Sequence, residues 1–193
     1  PNSVTLTFFT DDEECEYCPQ ITQLLEEVSA TSDNVDLEVF EIHKNADQAE
    51  ALNINKAPAI AILGEGGKDY GMRFFGIPSG YEFSTLLNSI QRASLGSSEL
   101  DASTKSFLKE LSEPVNLQVF VTPTCPYCPR AAVLAMDMAV ESDLVNADVV
   151  ESAEFANQYN VMGVPLSVVN GTERVEGAAP PRQIVAAIRK TLA

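Results

Sequence analysis

The sequence predicts an α/β protein made of two tandem copies of one small unit, each a central mixed four-stranded sheet flanked by helices. Three observations lead there. Its 193 residues, 45% hydrophobic and 21% charged, have an ordinary globular composition and are enough for one large domain or two small ones. The chain also repeats itself: a β-type run at 4–10 leads into Cys15-Glu16-Tyr17-Cys18-Pro19, and a second at 115–122 into Cys125-Pro126-Tyr127-Cys128-Pro129. The echo then continues through 35–42 and 145–151, Ala57-Pro58 and Val164-Pro165, and Gly76-Ile77-Pro78 and Gly177-Ala178-Ala179-Pro180.

Each copy reads strand, helix, strand, short helix, two strands, helix, an order whose helices cross over between the early strands. The helix expected at 20–30 puts Ile21, Leu24, Leu25 and Val28 on one face. Its counterpart at 131–140 is apolar almost all round, so it needs cover on two sides, from the other unit or a second subunit. Residues 94–98 read as a linker, and 101–111, with Phe107, Leu108 and Leu111 at helical spacing, as an extra helix that has no counterpart before the first strand. The expected division is a first unit at 1–96, linker and extra helix at 97–113, and a second unit at 114–193.

A net charge of −16 argues against nucleic acid or an anionic membrane as partner, since both recruit Lys and Arg. The charge divides as −11, −2 and −3 over those three segments, which fits a solvated surface or a docking face for a basic partner. No apolar run approaches the roughly 18 to 20 residues of a membrane span, and the start Pro1-Asn2-Ser3-Val4 has no basic signal region. A cytoplasmic location is the expectation.

All four cysteines lie in the two Cys-x-x-Cys motifs. A first cysteine where a helix begins has the unpaired N–H groups and positive end of the helix beside it, which favour a thiolate. The second lies one turn along, within reach to resolve a mixed disulfide. Cys15 and Cys125 are therefore read as exposed nucleophiles, Cys18 and Cys128 as buried resolving thiols. Pro126 suits a first helical position, and Pro19 and Pro129 still fall in the first turn. A four-thiolate zinc site is the competing reading, but zinc ribbons separate their pairs by about 15 to 20 residues, whereas Cys18 and Cys125 are 107 positions apart.

Pro58 follows Cys15 by 43 positions and Pro165 follows Cys125 by 40, each before an apolar strand. A proline can simply start a strand; beside a repeated Cys-x-x-Cys, a cis peptide is expected, leaving the backbone of Ala57 and Val164 to pair with an extended substrate. The two sites differ in charge. Asp11, Asp12, Glu13, Glu14 and Glu16 surround Cys15, while Thr122, Pro123, Thr124 and Pro126 flank Cys125, with Arg130 just beyond. Like charge disfavours the Cys15 thiolate, an effect that solvent screens. The Cys125 pair is thus expected to meet clients and the Cys15 pair to relay electrons or tune it. His43 is read as a surface residue in a loop.

The strings Cys125-Pro126-Tyr127-Cys128, residues 158–165 and residues 69–76 resemble the archaeal and bacterial protein disulfide oxidoreductases, a glutaredoxin-like family of two thioredoxin folds. The resemblance covers essentially the whole chain. It implies reduction, oxidation or isomerisation of disulfides in protein clients, no cofactor beyond the redox-active disulfides, and electrons from a thioredoxin reductase-like donor. The chain is similar, more distantly, to the N-terminal tandem domain of the flavoprotein that reduces bacterial peroxiredoxins. A relay to a peroxiredoxin is therefore the second enzymatic reading, and a zinc-binding or chaperone-like module the non-enzymatic one. Tryptophan is absent, unlike in thioredoxins. The strands before the cysteines offer no buried carboxylate to take a proton from the resolving thiol. Where glutaredoxins hold glutathione the chain reads Gly177-Ala178-Ala179-Pro180-Pro181, which favours protein clients.

Overall fold

A computed structural model of the chain describes residues 2–151 and 159–193. In the first half, β1 (Val4–Thr10), α1 (Cys18–Ser29), β2 (Val35–Glu41) and α2 (Ala46–Ala51) precede β3 (Ala59–Gly64), β4 (Lys68–Phe75) and α3 (Phe83–Leu95). After α4 (Ala102–Lys109), the second half runs β5 (Val115–Phe120), α5 (Cys128–Glu141), β6 (Val145–Val150), β7 (Leu166–Val169), β8 (Glu173–Glu176) and α6 (Pro181–Thr191). The short helix expected after β6, and Gln158, lie outside the described residues.

Within each half, a crossover helix makes the first two strands parallel, β1 with β2 and β5 with β6; the third strand returns antiparallel to the first, and a hairpin adds the fourth antiparallel to the third. The two four-stranded sheets do not stay separate. Met72–Phe75 of β4 pair in parallel with Ala147–Val150 of β6, giving one sheet ordered β2-β1-β3-β4-β6-β5-β7-β8. Each half covers what would otherwise be an open edge of the other, and open edges are a liability in a sheet.

That junction explains the apolar helix. α5 packs on β5 and β6 of its own half, on α3 and β4 of the first, and on α4. Ala131, Ala132, Ala135, Met136, Met138 and Ala139 are all buried, so the second cover is the other half of the same chain. Asp137 of α5 accepts a 2.6 Å bond from Arg92 Nε of α3, and both side chains are buried. Lys105 and Ser98 both bind Glu141 Oε1, at 2.8 Å, tying the connecting segment to the same helix.

Several boundaries differ from expectation: α5 starts at Cys128 rather than 131, and α4 spans Ala102–Lys109 rather than 101–111. α1 starts at Cys18 rather than Gln20, because Pro19 is tolerated in the first turn. Ser94 and Leu95 belong to α3, which ends at a left-handed Gly96 (φ 61°), so the linker starts after it. α4 is capped by Asp101, whose carboxylate accepts from the Ser103 and Thr104 hydroxyls and N–H groups, the hydroxyls chiefly holding it well below the usual range.

Candidate active site

Both motifs are built alike. Cys15 pairs with Cys18 and Cys125 with Cys128 in disulfides, each with Cα atoms 5.4 Å apart. The first cysteine is half-buried on the turn leaving the strand; the second is buried as the first residue of α1 or α5. Its N–H donates to the carbonyl of the first, over 3.4 Å in one motif and 3.3 Å in the other. Tyr17 and Tyr127 occupy the cap positions without a side-chain cap, so each helix presents its positive end beside the sulfurs. Both tyrosines, like Glu16 and Pro126, are exposed.

The Ala57–Pro58 and Val164–Pro165 peptides are both cis. Cys125 Sγ lies 3.8 Å from the Val164 carbonyl oxygen, and Met162, two residues before Val164, is 96% exposed. Among the described residues no such contact joins Cys15 to Ala57.

The charge around the sites is arranged differently from the sequence expectation. Asp11 accepts bonds from the Glu13 and Glu14 N–H groups and lies 3.4 Å from His43 Nε2. These N–H groups and His43 hold it below the ordinary carboxylate range. Asp12 pairs with Lys44 at 2.6 Å. Of the five acids around Cys15, Asp12 is therefore paired with a cation and Asp11 is held by hydrogen bonds, and His43, exposed as expected, has a partner.

The turn packed against the second site carries a buried acid that the strands did not reveal. Glu82, in the turn Gly80–Glu82 before α3, is fully buried, and burial, reinforced by Glu151, raises its carboxyl to about 7. Thr85 Oγ1 donates to Glu82 Oε2, while Oε1 has no partner. The turn is tied to the second site: Tyr81 N–H donates to the Pro123 carbonyl at 2.9 Å, two residues before Cys125, and the turn packs on α5, which opens with Cys128. Gly80 (φ 57°) lies so close to the Pro123 carbonyl that no larger residue fits there. Glu151 lines the same junction, where its carboxylate accepts from Ile77 N–H at 3.3 Å and its N–H donates to the Phe75 carbonyl. Glu82 is 43 positions from Cys125 and in the other copy, and its only sequence signal is a lone acid ahead of an apolar helix.

Paired vicinal cysteines at helix starts, beside a cis-proline loop, define a thiol–disulfide exchange site. The chain belongs to the thioredoxin family of thiol–disulfide oxidoreductases. A thioredoxin domain model matches residues 115–190. A probable thioredoxin of Methanothermobacter thermautotrophicus is 36% identical over 78 residues, 38% of this chain and 92% of that protein. The whole fold matches a crystallised protein disulfide oxidoreductase from Aeropyrum pernix, with 28% identity, a TM-score of 0.90, and coverage of 98% of this chain and 86% of that one. A component of the alkyl hydroperoxide reductase of Staphylococcus aureus is 24% identical over 173 residues; this spans 89% of the chain but only 32% of that longer protein. No helix among the described residues is long and apolar enough to cross a membrane.

Proposed function

We propose that the chain exchanges disulfides with protein clients at Cys125–Cys128, and that Cys15–Cys18 is an auxiliary pair relaying electrons to it. The observation that carries this is the unequal support of the two sites: among the described residues, the turn packed on the second site's helix, lent by the other half, carries the buried acid Glu82, and no such turn meets the first. In the reduced form, the Cys125 thiolate attacks a client disulfide and a client thiolate leaves. Cys128 then gives its proton to Glu82 and attacks Cys125 Sγ. The client leaves as a dithiol carrying two electrons, and the Cys125–Cys128 disulfide forms. A carboxyl near 7 suits that transfer, because it can both take and return a proton at neutral pH. An extended client pairs with the backbone of Val164 beside the sulfur.

In this reading, residues 1–96 and 114–193 are the two exchange units and the 97–113 segment joins them. The chain works in the cytosol, where thiols are kept reduced, and uses its disulfides alone as redox groups. A thioredoxin reductase-like flavoprotein returns the electrons. A dedicated relay to a peroxiredoxin is the second reading, favoured by the match to the alkyl hydroperoxide reductase component over 89% of the chain. Trapping decides the client site. Cys128→Ser is expected to accumulate a mixed disulfide through Cys125 with a disulfide-bonded client; a trap that forms only with Cys18→Ser, through Cys15, contradicts the assignment.

A further inference from the structure

A cleft of about 580 Å³ opens beside the second site. One wall is the start of α5, with Arg130, Val133 and Leu134; the facing wall is the loop ahead of α6, ending in Pro180; Asn88 of α3 comes from the first half. The lining is mixed, apolar at Leu100, Val133, Leu134 and Pro180 and polar or charged elsewhere, so the charged groups decide what fits. Two acids line the cleft and share one buried cation, Arg92. Asp137 bonds Arg92 Nε at 2.6 Å, and Glu99 lies 3.5 Å from its terminal nitrogen. Arg130 has no hydrogen bond or ion pair among the described residues. In a chain with 28 acidic and 12 basic side chains, an unanswered guanidinium two positions after the resolving cysteine is an unusual placement. An exposed arginine is most often only solvated; this one lines a walled cleft contiguous with the reacting helix. The same position in the first copy is Gln20.

We infer that this cleft is a specificity subsite for an acidic stretch of the client polypeptide, with apolar side chains against Val133 and Pro180 and a carboxylate on Arg130. The inference rests on the reading that Cys125 meets clients. Arginine suits the task because its planar fork can take a carboxylate through two parallel bonds. The net charge of −16 repels acidic ligands, so a preference for one cannot come from the overall field and must come from a local cation.

The test uses disulfide-bonded peptides in which Glu replaces Gln at each position flanking the cystine in turn. At one or two positions, Glu is expected to raise kcat/KM by about fivefold, the scale of one partly solvated charge-assisted contact. Arg130→Gln should bring that ratio to one and Arg130→Glu should invert it, whereas any effect of Arg130 on the Cys125 thiolate alone would move both peptides equally. The same peptides with serine in place of cysteine read the cleft without thiol chemistry, through their affinity for the wild type and Arg130→Gln. No Glu preference at any position, or a preference that survives Arg130→Gln, overturns the subsite. Full reduction of both peptides by Cys125→Ser overturns the client assignment instead, and leaves the serine-peptide affinities to judge the cleft.

Discussion

In the first half, the loop before Cys15 is acidic and faces outward, with Asp11 and Asp12 answered by His43 and Lys44. In the second half, the loop before Cys125 is uncharged and is bonded to the turn of the other half that carries the buried Glu82. The disulfides, helix starts and prolines of the two are alike in kind, so the difference lies in what surrounds them. Duplication supplies two matching scaffolds, but joining them edge to edge gives them unequal neighbours. α5, which starts at Cys128, packs against both halves; α1, which starts at Cys18, packs on β1 and β2 of its own. A site at a junction can recruit groups that its own unit lacks.

Breaking the junction should have the largest effect. Arg92→Ala leaves Asp137 buried without its cation and is expected to destabilise the fold by about 3 kcal/mol, read by urea denaturation. A loss under about 1 kcal/mol would mean that Asp137 protonates or finds water without cost. Next comes the shared acid. Glu82→Gln is expected to slow client release from the second site by about tenfold or more and to remove the inflection near pH 7 from its rate profile. An unchanged profile would leave the buried acid without a part in the chemistry.

The same substitution has an opposite effect on stability. With its carboxyl raised from 4.5 to about 7, the folded chain binds more protons than the unfolded one across that window, so Glu82 costs stability as pH rises through it. Glu82→Gln should match the wild type near pH 5 and exceed it by about 2 kcal/mol at pH 8, and the comparison of the two cancels the similar slope of Asp148, raised by burial to about 6. The smallest change belongs to the first site. Lys44→Ala removes an exposed ion pair from the acidic loop and is expected to slow alkylation of reduced Cys15 by less than about threefold. A larger change would give that loop a control over Cys15 that exposed, screened charges do not normally have.

The repeat was legible because each strand, Cys-x-x-Cys and helix start uses local signals: alternating apolar runs, prolines in first turns, glycines before the last helix. The cover on two sides of α5 was legible for the same reason, as a helix with no polar face. What the sequence hid is non-local. The strand edges of β4 and β6 carry no mark of their pairing, since Met72 to Phe75 and Ala147 to Val150 read as ordinary strands. Glu82 was hidden because the strands before each cysteine point only to groups of their own copy, whereas the acid arrives from the opposite copy through a turn fixed on Pro123. Ser94-Leu95-Gly96 read as linker by composition, though Gly96 in fact closes α3.

The central claim is that one duplicated scaffold carries unequal sites, and parallel reduction of a disulfide-bonded protein by Cys15→Ser and Cys125→Ser tests it most directly. With electrons supplied by a small dithiol, Cys125→Ser should lose essentially all client reduction and Cys15→Ser should keep most of it. Equal residual activity in the two variants would contradict the account.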